Sequence, residues 1–424
     1  MISSQIQPRT DTSFDHLPDS VISDIFVVIW CTWPAWYDVR EGRIPYILAA
    51  VSRRWRAIAL STSKIWTFVD LSLRAERLAT HLTRSKNLPL EVKLVLDEDS
   101  DIDIRESLRI IKETDIWART GRLDAQLSLE HVALLVDALN AATTINSRSV
   151  LQSIAIFTFV RRDRRINNTP EQSNLRIPQS QALCTIDMNC VGLFLVLDPP
   201  SSPLLGLRRL VLERVEVTIP DSLLPFLDLT PDLEKLILRH CYIGSTPNTA
   251  TAARPRHSIV LANLRLLSLY DVEGVAGLNL LFRTLNMPNL GHLSFRTDSN
   301  CRWTRLDWEA ICHCRALKDP SLQGFSSRAL AGLLSRVELL NRLKSIDIRN
   351  TLLAIPDEFA AQLVRRLLVD VSCCPNLSAL FVLFPLQSEH IGTVKELRRT
   401  RPTLIAHVDW DESQYEEADA VTEN

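Results

Sequence analysis

One six-residue pattern, apolar-x-x-apolar-x-apolar, returns along this chain and constrains its fold more than any other feature. It reads LQSIAI from Leu151, LCTIDM from Leu183, LRRLVL from Leu207, LEKLIL from Leu233, LRLLSL from Leu264, LGHLSF from Leu290, LKSIDI from Leu343 and LSALFV from Leu377. The alternation at its end predicts a short strand whose fourth and sixth positions share one face. Successive starts lie 24 to 34 residues apart, except for 53 residues between Leu290 and Leu343, close to two units. A missing unit is expected near Leu317, where LKDPSL puts Pro320 at an inward strand position and breaks the pattern. A second marker is a proline two residues before the first leucine, at Pro231, Pro288, Pro375 and Pro402. It is expected to end a helical segment and lead an extended turn into the next strand. Helical halves show as Leu278 to Phe282 and Phe359 to Val364.

A strand-helix unit of this size cannot bury its own apolar face, so neighbours must stack and share one continuous core. The pattern resembles the leucine-rich repeat family, which implies an α/β fold: a curved solenoid built on a parallel sheet. That family's asparagine or cysteine, three residues after the last strand leucine, occurs once, as Cys241; Val215, Val272, Asp298 or Thr351 stands there in other units. The usual side-chain ladder is therefore expected to be absent and the solenoid irregular. Leu210, Leu212, Leu236, Leu238, Leu267, Leu269, Leu293 and Phe295 should point inward from successive parallel strands.

The residues between them must then face the concave surface. Arg209, Lys235 and His292 form one predicted column; Arg239, Tyr270, Arg296 and Arg349 form another; Val211, Ile237 and Phe381 lie between, with Glu213 and Asp347 as acidic exceptions. Such a face suits an acidic or phosphorylated segment, because arginine pairs well with carboxylate and phosphate. Two other readings stay open: solvated strand residues, and a face covered by the chain's own acidic tail.

The N-terminal region has a different texture. Pro18 suits a first helical position and Asp19 its first turn, ahead of Ile22, Ile25, Phe26 and Ile29 at spacings of three and four. A second helix is expected from Pro45, with Ile47, Leu48, Val51, Trp55 and Ile58 on one stripe and Arg53, Arg54 and Arg56 largely off it. The aromatic segment with Trp33, Trp36 and Tyr37 reads as an inserted loop. Ser61 to Ser63 can cap a short turn carrying Ile65 and Trp66, followed by an extended Phe68 to Leu71. A helix ending near Asn87 and a strand with Val92, Leu94 and Leu96 on one side come next.

The ordered set Leu17-Pro18, Ile25-Phe26, Val51-Ser52, Trp55-Arg56, Ile65-Trp66 and Asp70-Leu71 resembles an F-box and its flank, with a longer interval from Phe26 to Val51 than that family shows. The stretch from His81 to Leu94 is similar to the segment C-terminal to this motif in fungal F-box-like families. The resemblance implies docking of a BTB-fold SCF adaptor and, through it, a cullin. Leu17, Pro18, Ile22, Ile25, Phe26 and Val51 would be adaptor-facing or supporting residues, and Trp55 would pack the bundle. The expected organisation is a polar tail (1–13), an F-box-like helical module (14–73), degenerate repeats (74–410) and an acidic disordered tail (411–424). The expected function is that of a substrate receptor of an SCF-type cullin-RING ubiquitin ligase, with the repeats binding an unknown protein substrate. The alternative is a repeat scaffold whose N-terminal helices only cap an apolar end.

Composition excludes several classes. No phosphate-cradling, nucleophile-elbow or zinc-protease motif occurs, so no catalytic site and no cofactor are expected. The formal net charge of -2 gives no global pull toward nucleic acid or membrane. Arg161 to Arg165 reads as an exposed loop rather than a phosphate contact. No stretch is apolar for the roughly 20 residues a bilayer needs. Nine cysteines, mostly single, suit a reducing cytoplasmic or nuclear setting. Cys301, Cys312, His313 and Cys314 lack the paired spacing of zinc ligands and read as packing. Residues 100–142 are expected to be helical, with Leu129, Val132, Leu135, Val136 and Leu139 on one face.

Overall fold

A computed structural model describes residues 16–32, 43–71, 75–95, 109, 116–128, 131–132, 134–135, 138, 150–158, 172–176, 182–198, 203–218, 222–244, 258–296, 309, 311, 319–323, 341–342, 345–349, 365–366, 369, 374–383, 396–397, 399–401 and 405–408. The chain divides into two compact units, residues 1–96 with 101–124, and residues 97–100 with 125–424.

In the first unit, α1 (Asp19–Thr32) begins where Pro18 predicts: the amides of Val21 and Ile22 donate to the Pro18 carbonyl. The expected single second helix is two helices, α2 (Ile44–Val51) and α3 (Arg53–Ser61). Between them Ser52 is extended, and its Oγ accepts a 3.1 Å bond from the Trp55 amide. This N-cap satisfies a donor that a continuous helix would have bonded internally, and it starts α3 in a new direction. The break moves the apolar stripe. Leu48 and Ile58 enter the core, whereas Ile47 and Val51 are 59 % and 58 % exposed. Ile22, Phe26, Ile44, Leu48, Ile58, Ala59, Ile65 and Trp66 form that core, the last two from the 3₁₀ turn Ser63–Trp66. The Trp66 indole donates to the Ala59 carbonyl at 2.7 Å, so its one polar atom is satisfied inside. After this bundle come β1 (Phe68–Asp70), α4 (Ala75–Arg84) and β2 (Leu90–Val95). β1 and β2 pair in parallel, and Leu90, Val92 and Leu94 are buried in alternation, as expected for the last two. The short helix α5 (Ile116–Arg119) leads into β3 (Thr120–Leu127).

The second unit carries β4 (Ser153–Thr158), β5 (Gln172–Arg176), β6 (Thr185–Asp198), β7 (Arg209–Thr218), β8 (Lys235–Arg239), β9 (Tyr242–Gly244), β10 (Ile259–Val260), β11 (Leu266–Tyr270), β12 (Leu285–Asn286), β13 (His292–Arg296) and β14 (Asp319–Gln323). Its long sheet follows the path β4-β6-β7-β8-β11-β13-β14, parallel at every step. Interleaved with it are α6 (Leu224–Asp228) and α7 (Val275–Thr284), and α7 includes the expected Leu278 to Phe282. The strands pair at matching repeat positions: Ile186 with Leu210, Leu210 with Leu236, Leu236 with Leu267, Leu267 with Leu293. All eight residues expected inward, from Leu210 to Phe295, are buried. The architecture is thus α/β with a long parallel sheet, consistent with a repeat solenoid.

The unit expected to begin near Leu317 is present, with Pro320 at the inward position. Strand β14 pairs Pro320 with Leu293 in register. In this sheet the third-position amide donates backward, as Lys235 does to Arg208, Leu266 to Glu234 and His292 to Arg265. Alternation turns the fourth-position amide toward the following strand. Strand β14 is the last of its sheet, so the missing N–H of Pro320 removes no bond there. Strands β15 (Ser345–Arg349), β16 (Ala379–Leu383) and β17 (Ile405–Val408) form a separate parallel sheet. In it Ala406 pairs with Leu380 and Val408 with Val382, one residue off the register that Pro402 predicts.

The proline marker works differently from expectation. The amides of Leu233, Leu290 and Leu377 donate to Thr230, Met287 and Cys374, closing four-residue turns with Pro231, Pro288 and Pro375 at the second position. Proline's fixed φ suits that position. Leu207 and Leu264 close the same turn without proline.

Candidate functional site

Two surfaces carry the residues singled out by sequence, one on each unit. On the bundle, Arg54 reaches back from α3 to bond Asp19 Oδ1 at 2.6 and 2.8 Å, and it also donates to the Leu17 carbonyl. It therefore anchors the Leu17-Pro18 entry to α3, a role its sequence context did not reveal. Ser23 and Thr62 share a 2.9 Å hydroxyl bond between α1 and the end of α3. Of the six residues assigned to docking, Ile22 and Phe26 lie inside the core, and Phe26 packs on Trp55 with ring centroids 5.0 Å apart. Leu17 and Ile25 are half-buried; Pro18 and Val51 are exposed. Val21, Ile25 and Val28 recur at i, i+4 and i+7 on α1, Val21 and Val28 both exposed. Ile47 and Val51 repeat that arrangement on α2. Val21, Val28 and Ile47 were missed as surface residues; for Ile47 the cause was the assumption of one unbroken helix.

On the second unit, register rather than proximity in sequence defines the site. Arg209 pairs with Lys235, Lys235 with Leu266, and Leu266 with His292, so the first basic column holds together with one leucine inside it. Arg239, Tyr270 and Arg296 are neighbours in the second column, where Asn189 and Glu213 precede them. Arg349 lies on β15, in a separately hydrogen-bonded sheet, and pairs with Leu383. Val211 and Ile237, expected at the surface, are only 2 % and 8 % exposed. Phe381 pairs with Asp347 and His407 through its backbone.

Around the second column, Arg296 stands over the Tyr270 ring at 5.0 Å, and His240 meets the same ring edge-on at 4.5 Å. His240 Nδ1 is 3.4 Å from Asp271. Arg239 lies 3.7 Å from Glu213, and Arg209 lies 4.0 Å from Asp187. Arg214, His240 and Asp271, each the residue after a second-column position, have positive φ of 56°, 50° and 47°. This left-handed step turns the chain so that Val215, Cys241 and Val272 are buried in one column. Cys241 Sγ donates to the carbonyls of Leu212 at 3.2 Å and Arg239 at 3.3 Å. Burial raises its pKa to about 11, and that of Cys190 to about 12, so both are structural thiols rather than nucleophiles.

The loop with Trp33, Trp36 and Tyr37, most of residues 100–115, Leu96, Leu129, Val136, Leu139, Arg161 to Arg165, Asp298, Thr351, the Cys301 to Cys314 group, Phe359 to Val364, Pro402 and both chain ends lie outside the described residues. Val132 and Leu135 are buried, as the helical stripe implied. Among the described residues no helix is long and apolar enough to cross a membrane. Comparison with known protein families and with curated proteins finds no match to this chain.

Proposed function

We propose that this chain is the substrate receptor of an SCF-type cullin-RING ubiquitin ligase: its helical bundle docks a BTB-fold adaptor, and its repeats hold the protein to be modified. It positions its partners and performs no chemistry itself. The observation that carries this reading is the exposed apolar residues on the first two helices, directly after a Leu-Pro entry anchored by Arg54. Val21, Val28, Ile47 and Val51 lie on water in a bundle that already buries Ile22, Phe26, Leu48 and Trp66, so folding alone does not account for them. Exposed apolar surface of this kind is what a helical partner buries.

The test is binding of the full chain to a purified adaptor. Ile47→Asp with Val51→Asp places charge at exposed positions and spares the core; it should weaken binding at least about 30-fold, the effect of losing an interface anchor. Unchanged affinity in a variant with an unaltered melting curve would remove the docking assignment and leave the scaffold reading.

A further inference from the structure

The outward face of the long sheet has three columns of different chemistry. The middle one runs Asp187, Val211, Ile237, Ser268, Ser294 across β6, β7, β8, β11 and β13, strand neighbour to strand neighbour. Its floor is apolar or small at four consecutive positions, and Val211 and Ile237 are buried. Longer polar side chains stand on either side. Arg209, Lys235 and His292 lie toward the strand starts, and Arg239, Tyr270 and Arg296 lie toward the strand ends. Parallel strands sit about 4.8 Å apart, so five of them span about 19 Å, the length of roughly six residues of extended chain.

Within this trough Arg209, Lys235, Arg239 and Arg296 outnumber Asp187 and Glu213. The ion pairs Arg209–Asp187 and Arg239–Glu213 are long, at 4.0 and 3.7 Å, and their arginines are about half exposed. Such pairs contribute little and exchange readily for a better-placed anion. Arg296 is held by its stacking on Tyr270. A guanidinium fixed in advance loses less freedom when it forks onto a carboxylate or phosphate.

We infer that this trough binds an extended acidic segment of a partner protein, about six residues long, lying across the strands with its carboxylates or phosphates on Arg239 and Arg296. The inference rests on the proposed role of the repeats as the recognition half, and it names the class of protein recognised.

The test uses the full-length chain and labelled hexapeptides of glycine and serine carrying three glutamates, three phosphoserines or three glutamines, with a six-nucleotide single-stranded RNA as a fourth probe. The glutamate or the phosphoserine peptide should bind at least tenfold more tightly than the glutamine peptide, and their ratio tells carboxylate from phosphate recognition. Arg239→Glu with Arg296→Glu should erase that preference while adaptor affinity and the melting curve stay as in the wild type. Arg239→Gln with Arg296→Gln, which removes the same charges without adding carboxylates, should also erase it. Equal binding of the glutamine peptide, tighter binding of the RNA, or a preference that survives both double variants would each overturn the inference. So would binding that appears only after residues 411–424 are removed, since the chain's own tail would then be the occupant. Loss of the peptide preference with adaptor binding intact removes this inference alone; absent adaptor binding with the preference intact removes the ligase reading alone.

Discussion

Single residues join one repeat to the next at the turns. Asn263 Nδ2 donates to Asp232 Oδ1 at 2.9 Å and lies 3.5 Å from the Pro231 carbonyl; Asn289 donates to Ala262 at 2.8 Å, and Asn376 to Asn341 at 2.9 Å. Each asparagine stands one residue before a strand leucine and reaches the carbonyl two residues before the preceding one. This is a side-chain ladder at the strand entry, whereas the expected position for one, after the strand, is filled by Val215, Cys241 and Val272. The sequence contained the signal, since asparagine precedes leucine at 263, 289 and 376, but at 289 and 376 it stands next to the more conspicuous proline. Asn289→Ala should destabilise the second unit by about 0.5 to 1.5 kcal/mol, the usual net worth of one hydrogen bond, measured as a lower urea midpoint at unchanged slope. No change in midpoint would show that water replaces the amide at that turn. Gly274 is constrained more tightly. With φ of 92° it starts α7, and a Cβ there would lie 2.0 Å from the Ile243 carbonyl oxygen, so only glycine fits.

At the level of elements, two breaks decide the surfaces. Ser52 divides the second helix of the bundle, and Pro320 ends the long sheet. Both residues were visible in the sequence; Ser52 was read as lying inside one helix, whereas Pro320 was placed at the inward strand position it occupies. A serine inside an apolar periodicity is compatible with one helix or two; the choice depends on whether Ile47 and Val51 find a buried partner, and they do not. A proline at a strand's inward position excludes a central strand but permits an edge. Removing the cap by Ser52→Ala should cost the bundle about 0.5 to 2 kcal/mol, read from chemical unfolding followed by tryptophan fluorescence at Trp55 and Trp66. An unfolding curve identical to the wild type would mean that the direction change between α2 and α3 is held by packing alone.

Across the whole molecule, the path β4-β6-β7-β8-β11-β13-β14 of the second unit is a succession of nearest-neighbour pairings, each strand bonded to its neighbours along that path. Leu238 is buried between Leu212 and Leu269, its register partners. Leu238→Ala should cost about 2 to 5 kcal/mol. Hydrogen exchange should show the lost protection centred on β8 and its neighbours β7 and β11, with β4 and β15 to β17 changed least; a uniform loss over the unit would mean that it unfolds as one block. The sequence alone determined the repeat and, from β7 to β13 along the main path, the inward residues, because a period-two pattern repeated in parallel leaves one solution for which side chains share the core. It also determined that α1 starts at Asp19, since proline and the first-turn carboxylate act within a few residues. Only the tertiary structure decided that Arg54 anchors Leu17, that the hydrogen bonding of the long sheet ends at β14, before Arg349 on β15, and that Val211 and Ile237 are buried although they lie on the outward face. Each of these depends on which distant segment becomes a neighbour, and a linear pattern carries no record of contacts formed between residues far apart in the chain.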